Sequence, residues 1–326
     1  MKFPPQYIKT DRITTLLAEL EALKMAFSLL AIPEKTRAYL RKSSLLKSSL
    51  YSARIEGNKL RLEDFSQRSR SSSRQKIEVT NIALALEYMA KTPQVSLTID
   101  FLKQLHTLVL GGLSSSAGSL RSEESAIFNQ AGIAVYLTPA PQKIFALLEE
   151  LIMYTNSSID PCAVRAAVVH IWFEKIHPYV DGNGRVGRLV SQFILKIQGY
   201  DLGGLVPLEE YIDEHRQEYY NALTPDTSDV TPFVEFFLEA LVFQGKKTLI
   251  QTQEPVPEYR AELLPRRAEI FDVIRDHKMV SFDALARRFR AVSPSTLHYD
   301  CQQLIKKGYI KKLGTTRGVV YVPVDR

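Results

Sequence analysis

Groups able to bind or transfer charge crowd one stretch, His177-Pro178-Tyr179-Val180-Asp181-Gly182-Asn183-Gly184-Arg185-Val186-Gly187-Arg188. A histidine titrates near pH ~6.5, so much of His177 is neutral at pH 7 and able to take a proton. Asp181 is a hard oxygen ligand of the kind Mg²⁺ uses when it also binds phosphates. Gly182 and Gly184 let the backbone approach an anion closely, and Asn183 between them tolerates the left-handed region and has an amide to donate to a phosphate oxygen. Arg185 and Arg188 stand three apart, on one helix face, and can fork onto phosphate oxygens. An apolar helical pattern, Leu189 to Ile197, follows at once. The stretch therefore opens a helix, where free backbone N–H groups and the helix dipole favour phosphate.

Spacing excludes two other phosphate or metal loops. An EF-hand counted from Asp181 would need an oxygen ligand at loop position 5 and a glutamate at 12, where this chain has Arg185 and Gln192. The P-loop pattern G-x-x-x-x-G-K-[ST] is absent.

The run resembles the signature of the Fic family, H-x-F-x-[DE]-G-N-G-R-x-x-R, with Tyr179 standing at the aromatic position. The resemblance extends over most of residues 1–245, through Ile171 to Ile176 before the loop and Tyr211 to Leu223 after it. It implies a mainly α, helical Fic fold and transfer of AMP from ATP, with Mg²⁺, to a Tyr, Ser or Thr hydroxyl of a target protein. In that reading His177 is the general base and Asp181 the metal ligand. Gly182, Asn183, Gly184, Arg185 and Arg188 hold the triphosphate, and the helix 211–223 lines the base pocket.

Ser52-Ala53-Arg54-Ile55-Glu56-Gly57-Asn58 resembles the family's inhibitory motif, [ST]-x-x-x-E-[GN]. Its place before the catalytic loop implies the subclass that carries its own inhibitory helix. Glu56, with Ser52 and Gly57, would pair with Arg188 and take that arginine from the terminal phosphate. Ile127 to Leu137 reads as a short hairpin, β-formers around a Gly-containing turn. It stands where the family has its flap, so Gly132, Ile133, Ala134 and Val135 would dock an extended target segment by strand addition.

Two rival functions stay open. One is a DNA-binding regulator whose Fic-like body senses nucleotide; the intact His177 and loop glycines argue against it. The other is an enzyme of the same fold that moves UMP or phosphocholine, or removes AMP.

The elements around these residues read as helices: Ile13 to Leu30, limited by Pro33, then Leu45 to Ile55, Ile77 to Met89, a helix capped by Asp100, Gln142 to Tyr154, Pro161 to Ile176 and Phe233 to Phe243. The second of the two before the loop is apolar almost all round, which puts His170 and Trp172 in the core; His106 reads as a packed helix residue. Ser66 to Arg74 reads as a connection. The domains expected are 1–95, helical with the inhibitory motif; 96–245, the catalytic core; 246–262, a linker; and 263–326, a second module.

That module carries the chain's excess charge. Of 42 Lys and Arg against 36 Asp and Glu overall, 14 and 8 lie in residues 258–326, leaving 28 of each sign before it. Three helix patterns, the second capped by Ser281 and the third opened by Ser293-Pro294, precede two strand patterns around Gly314 to Gly318. This resembles a winged helix-turn-helix. The resemblance implies DNA as a partner, with Ser295, Thr296 and His298 as base readers and Lys311, Lys312 and Arg317 on phosphates.

The 326 residues suit two or three units, and 45% apolar content suits packed cores. Two distant cysteines, Cys162 and Cys301, read as thiols in a reducing compartment. No signal h-region or spanning apolar run appears, so no membrane partner is expected and the cytoplasm is the compartment read. A homodimer is compatible with the sequence and not specified by it.

Overall fold

The structure, a computed structural model, describes residues 4–60, 74–93, 95–128, 134–223, 228–253, 257–290, 292–314 and 318–324. It divides into two compact units, the second made of the residues from 255 onward together with Leu60, with a core of its own.

The first unit is helical. Thr10 caps α1 (Asp11–Leu29) by accepting from the Ile13 N–H. Pro33 opens α2 (Glu34–Ile55), the long helix that ends at Glu56. α3 (Arg74–Lys91) and α4 (Ile99–Leu110) follow. The N-cap of α4 is Thr98, whose side chain accepts from the Phe101 N–H, and not Asp100, which lies inside the first turn. Both residue types cap well; the extended backbone of Thr98, φ −140° and ψ 160°, decides it.

A two-stranded antiparallel sheet comes next, β1 (Ala126–Phe128) against β2 (Ala134–Leu137), with a bulge between Ile127 and Phe128. Gly132 and Ile133 lie outside the described residues. α5 (Pro141–Ser157) starts on its proline, whose missing N–H costs nothing at a first turn.

α6 (Cys162–Ile176) buries every residue except Arg165. A helix apolar all round belongs in the centre of a helical layer: α5, α10 (Thr231–Gln253) and α7 (Asn183–Ile197) pack on it, α2, α3 and α4 pack on α7, and α1 packs on α10. Full burial of a side chain such as Phe173 or Phe193 contributes roughly 1.5–3 kcal/mol. The stretch 211–223, read as one helix, is two: α8 (Leu208–Glu214) and α9 (Arg216–Leu223), broken at His215. α10 (Thr231–Gln253) runs on through residues read as linker. Ion pairs Lys47–Glu210 (2.9 Å) and Arg54–Asp213 (3.2 Å) fasten α2 to the α8 segment.

The second unit holds α11 (Glu258–Glu262), within the stretch read as linker, then α12 (Pro265–His277), β3 (Val280–Ser281), α13 (Phe282–Arg288), α14 (Pro294–Lys306), β4 (Ile310–Leu313) and β5 (Val320–Pro323). The strands form one antiparallel sheet in the order β3-β5-β4. Ile270, Ile274, Leu285, Leu297, Leu304 and Tyr321 pack its core, and Asp300, itself buried, pairs with Arg266 and Arg267.

Candidate functional site

α6 ends and α7 begins across six loop residues, and that junction builds the site. His177 is the C-cap of α6 and sits in the left-handed region, φ 48° and ψ 59°. A non-glycine residue there is uncommon and held by its surroundings. Arg121 supplies the hold. Its Nε donates to the His177 carbonyl (2.8 Å), while its other nitrogens donate to the carbonyls of Glu123 (2.7 Å) and Pro139 (2.6 Å). One buried guanidinium thus ties the histidine to both ends of the hairpin.

Burial pushes the His177 imidazole below its ordinary pKa, opposed by the Glu174 carbonyl and aided by Arg121. The ring is therefore neutral at pH 7. Nδ1 faces the Glu174 carbonyl at 3.3 Å, a partner that only an N–H can satisfy. The network assigns the proton to Nδ1 and leaves the Nε2 lone pair to accept another.

The loop that follows is braced from within. Asn183 accepts the Tyr179 N–H at its Oδ1 and donates its amide to the Tyr179 carbonyl, both at 2.9 Å. One of the two amide N–H groups expected to reach a phosphate is thus used within the loop. What Asn183, Gly184 and Arg185 offer an anion is the opening of α7, whose first intrahelical bond runs from the Val186 N–H to the Gly182 carbonyl (3.0 Å). Gly182, at φ 83°, makes the turn. Its N–H donates to Asp181 Oδ1 (2.6 Å).

His106 supports the loop from α4. Its Nδ1 accepts the Gly118 N–H (2.9 Å), so its Nε2 donates to the Asp181 carbonyl (3.0 Å), and its ring stacks on Tyr179 at 3.6 Å. Its sequence pattern marks it only as a packed helix residue.

The two arginines have separate fates. Arg185 bridges Asp181 Oδ1 and Glu78 Oε1, each at 2.6 Å. The other oxygen of Glu78 accepts from the Asn58 amide (2.8 Å), so Glu78 couples α7 to the chain just past α2. Arg188 is 2% exposed. It donates from Nε to Ser52 Oγ (3.0 Å) and from Nη2 to the Ser52 carbonyl and to Glu56 Oε1, both 2.9 Å. Burial alone would lower its pKa; the Glu56 carboxylate more than offsets this, and the net shift is upward. Glu56 closes α2, with Gly57 at φ 94° turning the chain away. Its carboxylate lies flush on the first turn of α7: a Cβ added to Gly184 would collide with it.

Asp181 is the one expected metal ligand, half exposed at 52%, with Oδ1 engaged and Oδ2 open to a hard cation. Among the described residues no group of three or more His, Cys, Asp or Glu is arranged to hold a metal. That donor set fits Mg²⁺, which binds through one or two carboxylates when phosphates and water supply the rest.

Ala134 and Val135 lie on β2, beside a cavity of about 720 Å³ lined also by Tyr136, Pro139, Lys143 and Leu147. In the second unit, Ser293 Oγ engages the hydroxyls of both Ser295 (3.0 Å) and Thr296 (2.8 Å), and His298 stacks on Phe282 at 3.6 Å. Ser295 and His298 are exposed and Thr296 is half-buried. Lys311 and Lys312 are exposed on β4; Arg317 lies outside the described residues. Among the described residues no helix is long and apolar enough to cross a membrane.

Residues 96–195 match the family model described as Fic/DOC family. The protein adenylyltransferase Fic of Drosophila willistoni is 28% identical over 242 residues, 68% of this chain and 45% of that protein. The Drosophila melanogaster protein of the same name is 28% identical over 170 residues, half of this chain and 32% of its own length. The chain thus spans less than half the length of these relatives. Among solved structures, a Fic family protein from Desulfovibrio desulfuricans G20 superposes with a TM-score of 0.70 over 99% of both chains at 24% identity. Residues 134–508 of Fic-1 from C. elegans superpose at 0.60 over 72% of this chain and 71% of that one, at 23% identity. Residues 96–195 thus match the Fic/DOC model, and the chain shares the fold of these solved structures.

Proposed function

We propose that this protein transfers AMP from ATP to a hydroxyl side chain of a target protein and that Glu56 restrains the reaction. The observation that carries the reading is a neutral histidine, with Nε2 free to accept, capping the helix just before a six-residue loop and the open N-terminus of α7. The similarity to adenylyltransferases supports the choice of AMP.

The α- and β-phosphates would lie on the N–H groups of Gly184 and its neighbours, where the helix dipole favours negative charge. Asp181, with the triphosphate, would hold Mg²⁺, which supplies neutralisation of phosphate charge. His177 Nε2 takes the proton of a Tyr, Ser or Thr hydroxyl as its oxygen attacks the α-phosphorus. The bond from that phosphorus to the bridging oxygen breaks, and pyrophosphate leaves. Fixed N–H groups and Arg185 stabilise charge that grows on the non-bridging and leaving oxygens. Proton removal by His177 contributes roughly 10²–10⁴-fold. β2 would receive the target as an added strand through Ala134 and Val135.

Restraint follows from the Arg188 contacts. While Glu56 holds Arg188 and lies on Gly184, the place for a terminal phosphate contains a carboxylate and lacks a free guanidinium. We read the second unit as a winged helix, supported by its order of helices and its β3-β5-β4 sheet. The intact His177 and loop glycines favour the transferase reading over a DNA-binding regulator.

The test uses labelled ATP and a cell lysate. Wild type should label weakly, Glu56→Gly strongly, and Glu56→Gly/His177→Ala not at all while still binding nucleotide. Equal labelling with and without His177 would reject the mechanism.

A further inference from the structure

Two carboxyl groups, not one, lie on the first turns of α7. Gly184 and Gly187 are three residues apart and so neighbours on one helix face. A Cβ on the first would meet Glu56; a Cβ on the second would stand 2.6 Å from Glu174 Oε1. Each glycine leaves room for one carboxyl, and Arg188 belongs to the same turn.

Glu174 has no evident use in this arrangement. It is 9% exposed, and its Oε1 has no hydrogen-bond partner among the described residues. His177 touches only its backbone carbonyl. Buried polar atoms are nearly always satisfied, so an orphan in a core helix asks for an explanation. A second orphan is close by. Arg188 Nη1 is buried and equally unpartnered, and it sits 3.2 Å from where a Gly184 Cβ would be.

Arg188 is held by Glu56 here, not by Glu174. Burial, and next the Glu56 carboxylate, push the Glu174 carboxyl up to about 8, against the pull of Arg188 and Lys175. At pH 7 it is largely a neutral acid. The groups facing it are Glu56 from α2, Arg188 from α7, and Tyr219 and Tyr220 from α9, with Lys175 beside it on α6. The nearest anion among these is Glu56.

We infer that Glu174 is a positioning residue: the standby acceptor that takes the free Nη1 of Arg188 when Glu56 withdraws, and aims the rest of the guanidinium at the terminal phosphate of the nucleotide. This rests on the nucleotidyl-transfer reading. Both orphans stand over neighbouring positions of one helix, Gly184 and Gly187. The proton that Glu174 carries beside Glu56 passes to solvent as the new pair forms.

The experiment compares Glu56→Gly with Glu56→Gly/Glu174→Gln on the full chain. Affinities for ATP and AMP with magnesium are measured by calorimetry at pH 6 and pH 8, together with transfer from labelled ATP. Gln keeps the size of Glu174 and removes its charge, so a merely structural role predicts no change. The inference expects the double variant to bind ATP about tenfold more weakly, to bind AMP unchanged, and to lose the rise in ATP-over-AMP preference between pH 6 and pH 8 that Glu56→Gly shows. An active Glu56→Gly protein whose preference and pH response are unaltered by Glu174→Gln overturns the role of Glu174 and leaves the transferase intact. A Glu56→Gly protein that neither binds ATP nor transfers AMP overturns the transferase reading and this inference with it.

Discussion

The Tyr220 hydroxyl donates to the carbonyl of Ile55 at 2.9 Å, joining α9 to the last turn of the helix that carries Glu56. A helix leaves its final carbonyls without intrahelical partners, and this one is met from another helix 165 positions along the chain. Where Glu56 sits is thus set by α9 as well as by Arg188. Tyr220→Phe removes the bond and keeps the ring. It should cost about 1 kcal/mol in urea unfolding and raise the basal transfer rate several-fold, because the end of α2 loosens before its body does. A stability loss with no change in rate would detach the contact from restraint.

Tyr179 fills the aromatic position of the loop with a hydroxyl that it does not use. Its OH is buried, has no hydrogen-bond partner among the described residues, and is pushed up in pKa by burial alone. The ring stacks on His106, and Phe would keep that contact. Tyr179→Phe should therefore stabilise the protein by about 1 kcal/mol, since a desolvated hydroxyl without a partner is removed. Thermal melting measures this, and transfer should be unaffected.

Arg121 fixes the histidine through the backbone, not through the ring. Arg121→Lys keeps the charge but loses the fork that reaches several carbonyls at once. The left-handed His177 would then relax. Transfer by Glu56→Gly should fall at least tenfold on adding this change, while the affinity for ATP stays within a factor of about two. A matching fall in affinity would place Arg121 in the phosphate site instead.

These cases show what the sequence could reveal. His177 to Arg188 was legible because its parts are contiguous: base, carboxylate, turn and helix start follow one another, and the physics of a helix N-terminus needs no distant partner. The Glu56–Arg188 pair was reached through resemblance, and the contact spans 132 positions. Glu78, His106 and Arg121 were not recognised as supports, because each works through a partner at least 56 positions away and sits in a helix or loop of ordinary pattern. Glu174 fell on a helix read correctly as buried; an acid in an apolar run was the available signal. The break at His215 left no mark, since Tyr211 to Leu223 contains neither glycine nor proline. The helical fold itself followed from periodicity, with the Thr98 cap, the start of α2 at Glu34 instead of Leu45 and the length of α10 as further local errors.

The acid side of the pH profile follows from the His177 environment. Its folded pKa lies below the ordinary 6.5 because the ring is buried. The neutral form is the active one, so kcat/KM of Glu56→Gly should be level through pH 7 and decline tenfold per unit only below the lowered pKa. The midpoint of that decline is expected under 6.5. A midpoint above it would mean that the ring has a carboxylate partner or freer access to water in the unliganded protein.

The glycine at 187 gives a stability test of the same carboxyl pair. In a helix interior Gly→Ala favours folding by about 1 kcal/mol. Here the new methyl would press on Glu174 Oε1 and, at 3.4 Å, on the Phe173 ring, and overpacking costs about 1–3 kcal/mol. In the wild type the clash should win, and Gly187→Ala should destabilise. Glu174→Ala clears the space, so in that background the clash is gone and the helical preference remains. The substitution should then stabilise. A reversal of sign between the two backgrounds, read by urea unfolding as a double-mutant cycle, would establish that Gly187 is small because Glu174 lies on it. The same destabilisation in both would place the obstruction at Phe173.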